Sequence, residues 1–117
     1  MKKIIFVDDD LGITDIAKLL FERAGYEITI FLKGAPLMTH HELPDLYILD
    51  KQLPDIDGLE ICRKLKSNKH TKSIPVIMLS ANPDIKRLAK LAGADDAAEK
   101  PFSLAALRSM AKHHTEE

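Results

Sequence analysis

Ile4 to Val7 is an unbroken apolar run that stops at Asp8-Asp9-Asp10, the pattern of a short strand buried on both faces. Leu46 to Leu49 repeats it and stops at Asp50, and Pro75 to Leu79 repeats it again and stops at Ser80. Between these runs the period changes. Ile13, Ile16, Ala17, Leu20 and Ala24 recur at helical spacing, with Asp10 placed to cap the helix and Gly25 to end it. Glu27 to Phe31 is β-branched and apolar enough for a second strand, whereas Gly34 to His41 contains Pro36 and supports only a short helix. After turn signals at Pro54 and Gly58, Leu59, Cys62 and Leu65 mark the inward stripe of a helix that fades in the polar stretch from Ser67 to Lys72. Ile85, Leu88, Ala89 and Ala92 predict another helix, closed by Gly93. Asp96 to Glu99 reads as a weak edge strand before Lys100-Pro101, and Leu104, Leu107 and Ala111 predict a last helix. Five strands alternating with five helices predict right-handed crossovers and a doubly wound α/β fold, a parallel sheet covered on both sides.

Composition narrows what such a fold does here. The 117 residues suit one domain spanning 1–117, and 45% apolar with 30% charged residues is ordinary for a globular chain. Lys and Arg number 17 against 18 Asp and Glu, so the formal charge of −1 provides no whole-chain field to draw the protein to nucleic acid or anionic lipid. Cys62 is the one cysteine, which excludes an internal disulfide and a multi-cysteine metal site. No apolar run approaches the roughly 20 residues of a membrane span, and the Met-Lys-Lys start lacks a signal peptide's apolar stretch. The expectation is a cytoplasmic protein whose charge chemistry is local.

In an open parallel sheet, ligands bind beyond the carboxyl ends of the strands, near the point where strand order reverses. The predicted strands deliver Asp8, Asp9, Asp10, Asp50, Ser80 and Lys100 to that edge. Taken singly these residues are caps, turn formers and solvated charges; taken together they form one coherent set from four strand ends. Clustered carboxylates repel, and one lysine does not offset three of them, so the set calls for a cation. All-oxygen donors point to a hard, hydrated ion, Mg²⁺. His40-His41 and His113-His114 are adjacent pairs and His70 sits in a polar turn, so the histidines receive no site role. A metal, a carboxylate nucleophile, a hydroxyl and a lysine suit phosphoryl transfer.

The chain resembles a response-regulator receiver domain from Ile4 through its last helix. The residues that carry the resemblance are Val7-Asp8-Asp9-Asp10, Leu49-Asp50 with Leu53-Pro54 and Asp57-Gly58, Ile77-Met78-Leu79-Ser80-Ala81, Gly93-Ala94-Asp95-Asp96 and Lys100-Pro101-Phe102. It implies a flavodoxin-like sheet of strand order 2-1-3-4-5. It also implies that Asp50 is the phosphoacceptor, that Asp9 and Asp50 ligate Mg²⁺ with Asp8 acting mainly through water, and that the Gln52 carbonyl completes the protein ligands. Asp10 is similar to a flanking cap. Ser80 would then bond one phosphoryl oxygen and Lys100 pair with another. The implied partners are a histidine kinase or histidine phosphotransfer protein and a downstream protein. The latter would be met by the face that joins the helix at 85–92, the strand at 96–99 and the last helix, which carries Lys86, Arg87, Lys90, Arg108 and Lys112. Because the sequence ends soon after the last helix, a stand-alone receiver or phosphorelay intermediate is expected, with the receiver portion of a longer regulator as the alternative.

Three departures from the family pattern concern signalling. Ala97 stands where many receivers carry a Tyr or Phe, the stretch from Ser80 to Gly93 is short, and Gln52 and Asn82 occupy positions that tune dephosphorylation in the family. Two other readings compete. Asp8-x-Asp10 after a strand also resembles the opening motif of haloacid-dehalogenase-like phosphatases, with Asp8 as nucleophile and Asp10 as general acid, but this leaves Asp50 and Lys100 unexplained. A receiver-like interaction module that never uses its phosphate site is the other.

Overall fold

The computed structural model describes residues 1–116. Strand β1 (Lys3–Val7) leads into helix α1 (Leu11–Arg23), and β2 (Glu27–Phe31) is followed by a single 3₁₀ turn (Ala35–Met38) and β3 (Leu46–Asp50). Helix α2 (Gly58–Ser67), β4 (Val76–Ser80), α3 (Ile85–Leu91), β5 (Asp96–Glu99) and α4 (Leu104–Thr115) complete the chain. All strands are parallel in the order β2-β1-β3-β4-β5, the doubly wound α/β arrangement predicted. The helix count differs from the expected five: among the described residues four α-helices form, and the second crossover has only the 3₁₀ turn. Pro36 near its start and a polar Thr-His-His-Glu tail leave that segment no apolar period long enough for an α-helix.

Strand alternation divides the core in two. Ile5, Val7, Tyr47, Leu49, Val76, Met78 and Ala97 face α2, α3 and the 3₁₀ turn. Ile4, Phe6, Leu46, Ile48, Ile77, Leu79 and Ala98 face α1 and α4. The central strands β3 and β4 are buried along their whole length, which is why they read as continuous apolar runs. Helix α1 is capped by Asp10, whose carboxylate accepts from the Ile13 N–H at 3.1 Å. Its buried line is Thr14, Ala17 and Phe21, while Ile16 of the predicted stripe is half exposed. Phe21 sets this rotation by packing on Phe6 and, edge-on, against Tyr26. Leu59, Cys62 and Leu65 face inward on α2, as do Ile85 and Ala89 on α3, whose seven residues make it the shortest α-helix of the described chain. Gly25 and Gly93 follow α1 and α3 at φ of +91° and +88°, conformations that favour glycine. No helix among the described residues is long and apolar enough to cross a membrane.

Candidate functional site

The carboxyl ends of β1 and β3 lie side by side, with Val7 opposite Leu49, so the next residues along, Asp8 and Asp50, are brought to the same edge. Both are nearly inaccessible, at 0% and 4% exposure, and Asp9 beside them is exposed. One carboxylate oxygen from each of Asp8, Asp9 and Asp50 lies within 4.8 Å of the others. At that separation, each ionised pair repels by roughly 3 kcal/mol at an effective dielectric near 20. Lys100, just beyond β5, reaches back into the cluster: its ammonium is 2.9 Å from Asp8 Oδ2 and 3.1 Å from Asp50 Oδ1. The Lys100 N–H donates to the Ser80 carbonyl at 2.8 Å, which fixes where the lysine leaves the sheet, and the Lys100-Pro101 peptide is cis.

The charges remain out of balance. Burial and the neighbouring Asp8 push the Asp50 carboxyl up to about 6, even though Lys100 opposes them. Burial lowers the Lys100 pKa, but the hydrogen bond to Asp8 and the charges of Asp50 and Asp8 outweigh it, so the net direction is up. A site with three carboxylates, one cation and only oxygen donors fits a hard divalent ion.

Ser80 ends β4 one residue beyond Leu79, the register partner of Asp50, and is fully buried. Its oxygen accepts the Asn82 N–H at 3.0 Å, leaving its own proton to be donated. Asp10 takes no part in the carboxylate cluster. Its side chain caps α1, and its N–H donates to Asp8 Oδ1 at 3.0 Å, so Asp10 is occupied as a cap and does not face Asp8 as an acid. Of the histidines that received no site role, two form structural pairs: His41 with Tyr47 and His114 with Asp96.

Gln52 stands in the loop between β3 and α2, which folds back tightly on itself. The Gly58 N–H donates to the Lys51 carbonyl at 2.7 Å, and Gln52 pairs with Asp57 in an antiparallel bridge. A side chain at Gly58 would place its Cβ 2.1 Å from the Asp50 carbonyl oxygen, so only glycine permits this approach. Asp57 Oδ1 caps α2 through the Leu59 N–H, and Oδ2 takes the Lys51 ammonium at 2.9 Å. Asp55 accepts from the Gly34 and Ala35 N–H groups at 2.9 and 2.8 Å, which holds its carboxyl below the usual range and ties this loop to the 3₁₀ turn. The partners of Lys51 and Asp55 were not foreseen from the sequence. Asp57 ahead of Gly58-Leu59 is a recognisable capping signal, but nothing local pairs it with Lys51.

Comparison with known proteins agrees with this geometry. The family model described as the response regulator receiver domain matches residues 4–112. The phosphate regulon transcriptional regulatory protein PhoB of Rhizobium meliloti is 37% identical over 116 residues, which are 96% of this chain and 51% of PhoB. The chain thus spans about half the length of the curated relatives it matches. Among solved structures, a BeF3-activated DrrB receiver domain is 31% identical with a TM-score of 0.88, covering 100% of this chain and 99% of that one. The receiver domain of a signal transduction histidine kinase from Syntrophus aciditrophicus is 30% identical with a TM-score of 0.88, covering 98% and 90%. A parallel sheet of this strand order, an acidic pocket at its carboxyl edge and a family match over nearly the whole length converge: the chain belongs to the response regulator receiver domains, a family of signalling modules rather than enzymes in the ordinary sense.

Proposed function

We propose that this domain takes a phosphoryl group onto Asp50 from the phosphohistidine of a histidine kinase or histidine phosphotransfer protein, and that the modified domain changes its binding to a downstream protein. The observation that carries the reading is the Lys100 ammonium held between Asp8 and Asp50 at the end of the sheet. An Asp50 carboxylate oxygen forms the new bond to phosphorus as the phosphorus–nitrogen bond of the donor breaks, and the departing imidazole takes up a proton. Asp8, Asp9, Asp50 and the Gln52 carbonyl would hold Mg²⁺, which would neutralise charge on the transferring group. Lys100 leaves the Asp50 oxygen to pair with a phosphoryl oxygen while keeping Asp8. The Ser80 hydroxyl donates its free proton to another. The DrrB receiver activated by BeF3, a phosphoryl mimic, supports this acceptor role by likeness.

Incubation with a small phosphodonor and Mg²⁺ is expected to add one phosphoryl group by intact mass, labile to hydroxylamine and abolished by EDTA. Asp50→Asn should give no adduct; an adduct at full yield in that variant would refute the acceptor assignment.

A second reading, a module whose binding ignores phosphate, is favoured by one feature. Ala97 pairs with Met78 and is buried in the core, so no aromatic ring is present there to move with Ser80. The surface with Lys86, Arg87 and Lys90 on α3 and Arg108 and Lys112 on α4 is exposed and is the proposed responsive face. Pull-downs with Asp50 free or beryllofluoride-bound separate the two readings: equal capture in both states supports the phosphate-independent module.

A further inference from the structure

A backbone carbonyl has no rotamer of its own, so whatever fixes the loop conformation fixes the direction in which the Gln52 carbonyl points. The loop from Lys51 to Asp57 is closed at its base by backbone. The Lys51 N–H donates to the Leu79 carbonyl at 2.8 Å, and the Lys51 carbonyl receives the Gly58 N–H at 2.7 Å. It is closed again by side chains, since Lys51 Nζ meets Asp57 Oδ2 at 2.9 Å. Lys51 is mostly sheltered, with a side chain 20% exposed. The residue it holds is the one that bridges Gln52 and also caps α2. The ammonium next in sequence to Asp50 is therefore directed at Asp57, while Lys100 is the cation that contacts Asp50.

We propose that Lys51 and Asp57 are positioning residues, a clasp across the β3–α2 loop that holds the Gln52 carbonyl in place as a ligand and so sets the affinity of the acidic pocket for its divalent cation. This rests on the reading of Asp8, Asp9, Asp50 and Gln52 as the ion's ligands. The sign of one measurement separates positioning from plain electrostatics. Removing the charge of Lys51, whose ammonium is held at Asp57, would by charge alone leave Mg²⁺ binding unchanged or tighten it. Loosening the loop that presents a ligand would weaken it, as outer partners of metal ligands do by roughly 10-fold or more.

The experiment is titration of the metal-free domain with Mg²⁺, followed by calorimetry and by the amide resonances of residues 51–58. Lys51→Met is expected to weaken Mg²⁺ binding by about 10-fold and to speed hydrogen exchange at the Gly58 amide, and Lys51→Arg to restore both. Asp57→Asn, which keeps the cap on α2, should weaken binding in the parent but add little in the Lys51→Met background. Tighter or unchanged Mg²⁺ affinity in Lys51→Met, or additive losses in the double variant, would overturn the clasp. Asp9→Asn tests the underlying reading separately: if it bound Mg²⁺ as the parent does, the ligand assignment itself would fail.

Discussion

Two crossovers on the same face of the sheet meet the same requirement in different ways. The one from β3 to β4 builds a ten-residue helix whose Gly58, Leu59, Ile61, Cys62 and Leu65 are buried, and its leading loop is bonded to the end of β3. The one from β2 to β3 builds a single 3₁₀ turn, with the Asp55 carboxylate bonded to the Gly34 and Ala35 N–H groups, the Lys64 ammonium to the Met38 carbonyl, and His41 to Tyr47. The first is stabilised mainly by cooperative burial, the second by Leu37 in the core together with separate polar contacts from its neighbours. Continuous packing is found where the chain must present chemistry to within tenths of an ångström. Where it only has to return to the sheet, individual hydrogen bonds suffice.

Adding one methyl group to the first crossover is the strongest way to break this contrast. In Gly58→Ala the new Cβ would press on the Asp50 carbonyl oxygen, which is backbone and cannot swing aside. A loss of about 4 kcal/mol is expected, together with loss of the phosphoryl adduct, because the α2 cap and the Asp50 strand end would have to separate. Urea unfolding and intact mass check it; a stability change under about 1 kcal/mol would mean that the loop is far more compliant than its contacts imply.

The next effect concerns the acidic pocket. Asp50 has a folded-state pKa of about 6 against an ordinary value of 3.8, so the folded state binds the proton more tightly than the unfolded chain does. The resulting contribution to stability is fully present below about pH 4 and is lost as pH rises through 6. It amounts to about 3 kcal/mol. In metal-free protein, stability should therefore fall across that window relative to Asp50→Asn, which cannot ionise, and Mg²⁺ should restore it. Parallel pH profiles for the two proteins would show that Lys100 already balances the cluster. In that case the pocket's need for a cation would have been overstated.

The sheet and its acidic edge were legible in the sequence because both rest on local patterns. Apolar runs ending in Asp8, Asp50 and Ser80 encode buried parallel strands and the edge where ligands bind, and the fold brings Asp8, Asp9, Asp50 and Lys100 together there. The rest depends on contacts between distant residues. Ile16 matches the helical period as well as Thr14 and Phe21 do, and only the packing of Phe21 on Phe6 chooses the buried line. The segment from Gly34 to His41 reads as a short helix, whereas the 3₁₀ turn that forms is tied to Asp55, twenty residues from Ala35, a contact that leaves no periodic trace. Lys51 and Asp57 pair across a loop whose path is set by Gly58 meeting the Asp50 backbone.

The smallest effect belongs to the second crossover. The Tyr47 hydroxyl lies 2.6 Å from His41 Nε2, and His41 Nδ1 lies 2.9 Å from the Thr39 carbonyl. A carbonyl only accepts, so Nδ1 is the donor there, and Nε2 is left to accept the tyrosine O–H. Burial pushes the Tyr47 phenol up to about 12, which keeps it a donor throughout the working pH range. Tyr47→Phe removes that donor while retaining the ring in the core cluster that includes Leu37 and Leu65. Because His41 is only half-buried, water can take the vacated acceptor, and the loss should be about 1 kcal/mol with no change in the yield of the Asp50 adduct. A loss approaching that of Gly58→Ala would show instead that the 3₁₀ segment folds as one unit with the site loop through Asp55, and that the two crossovers are mechanically a single element.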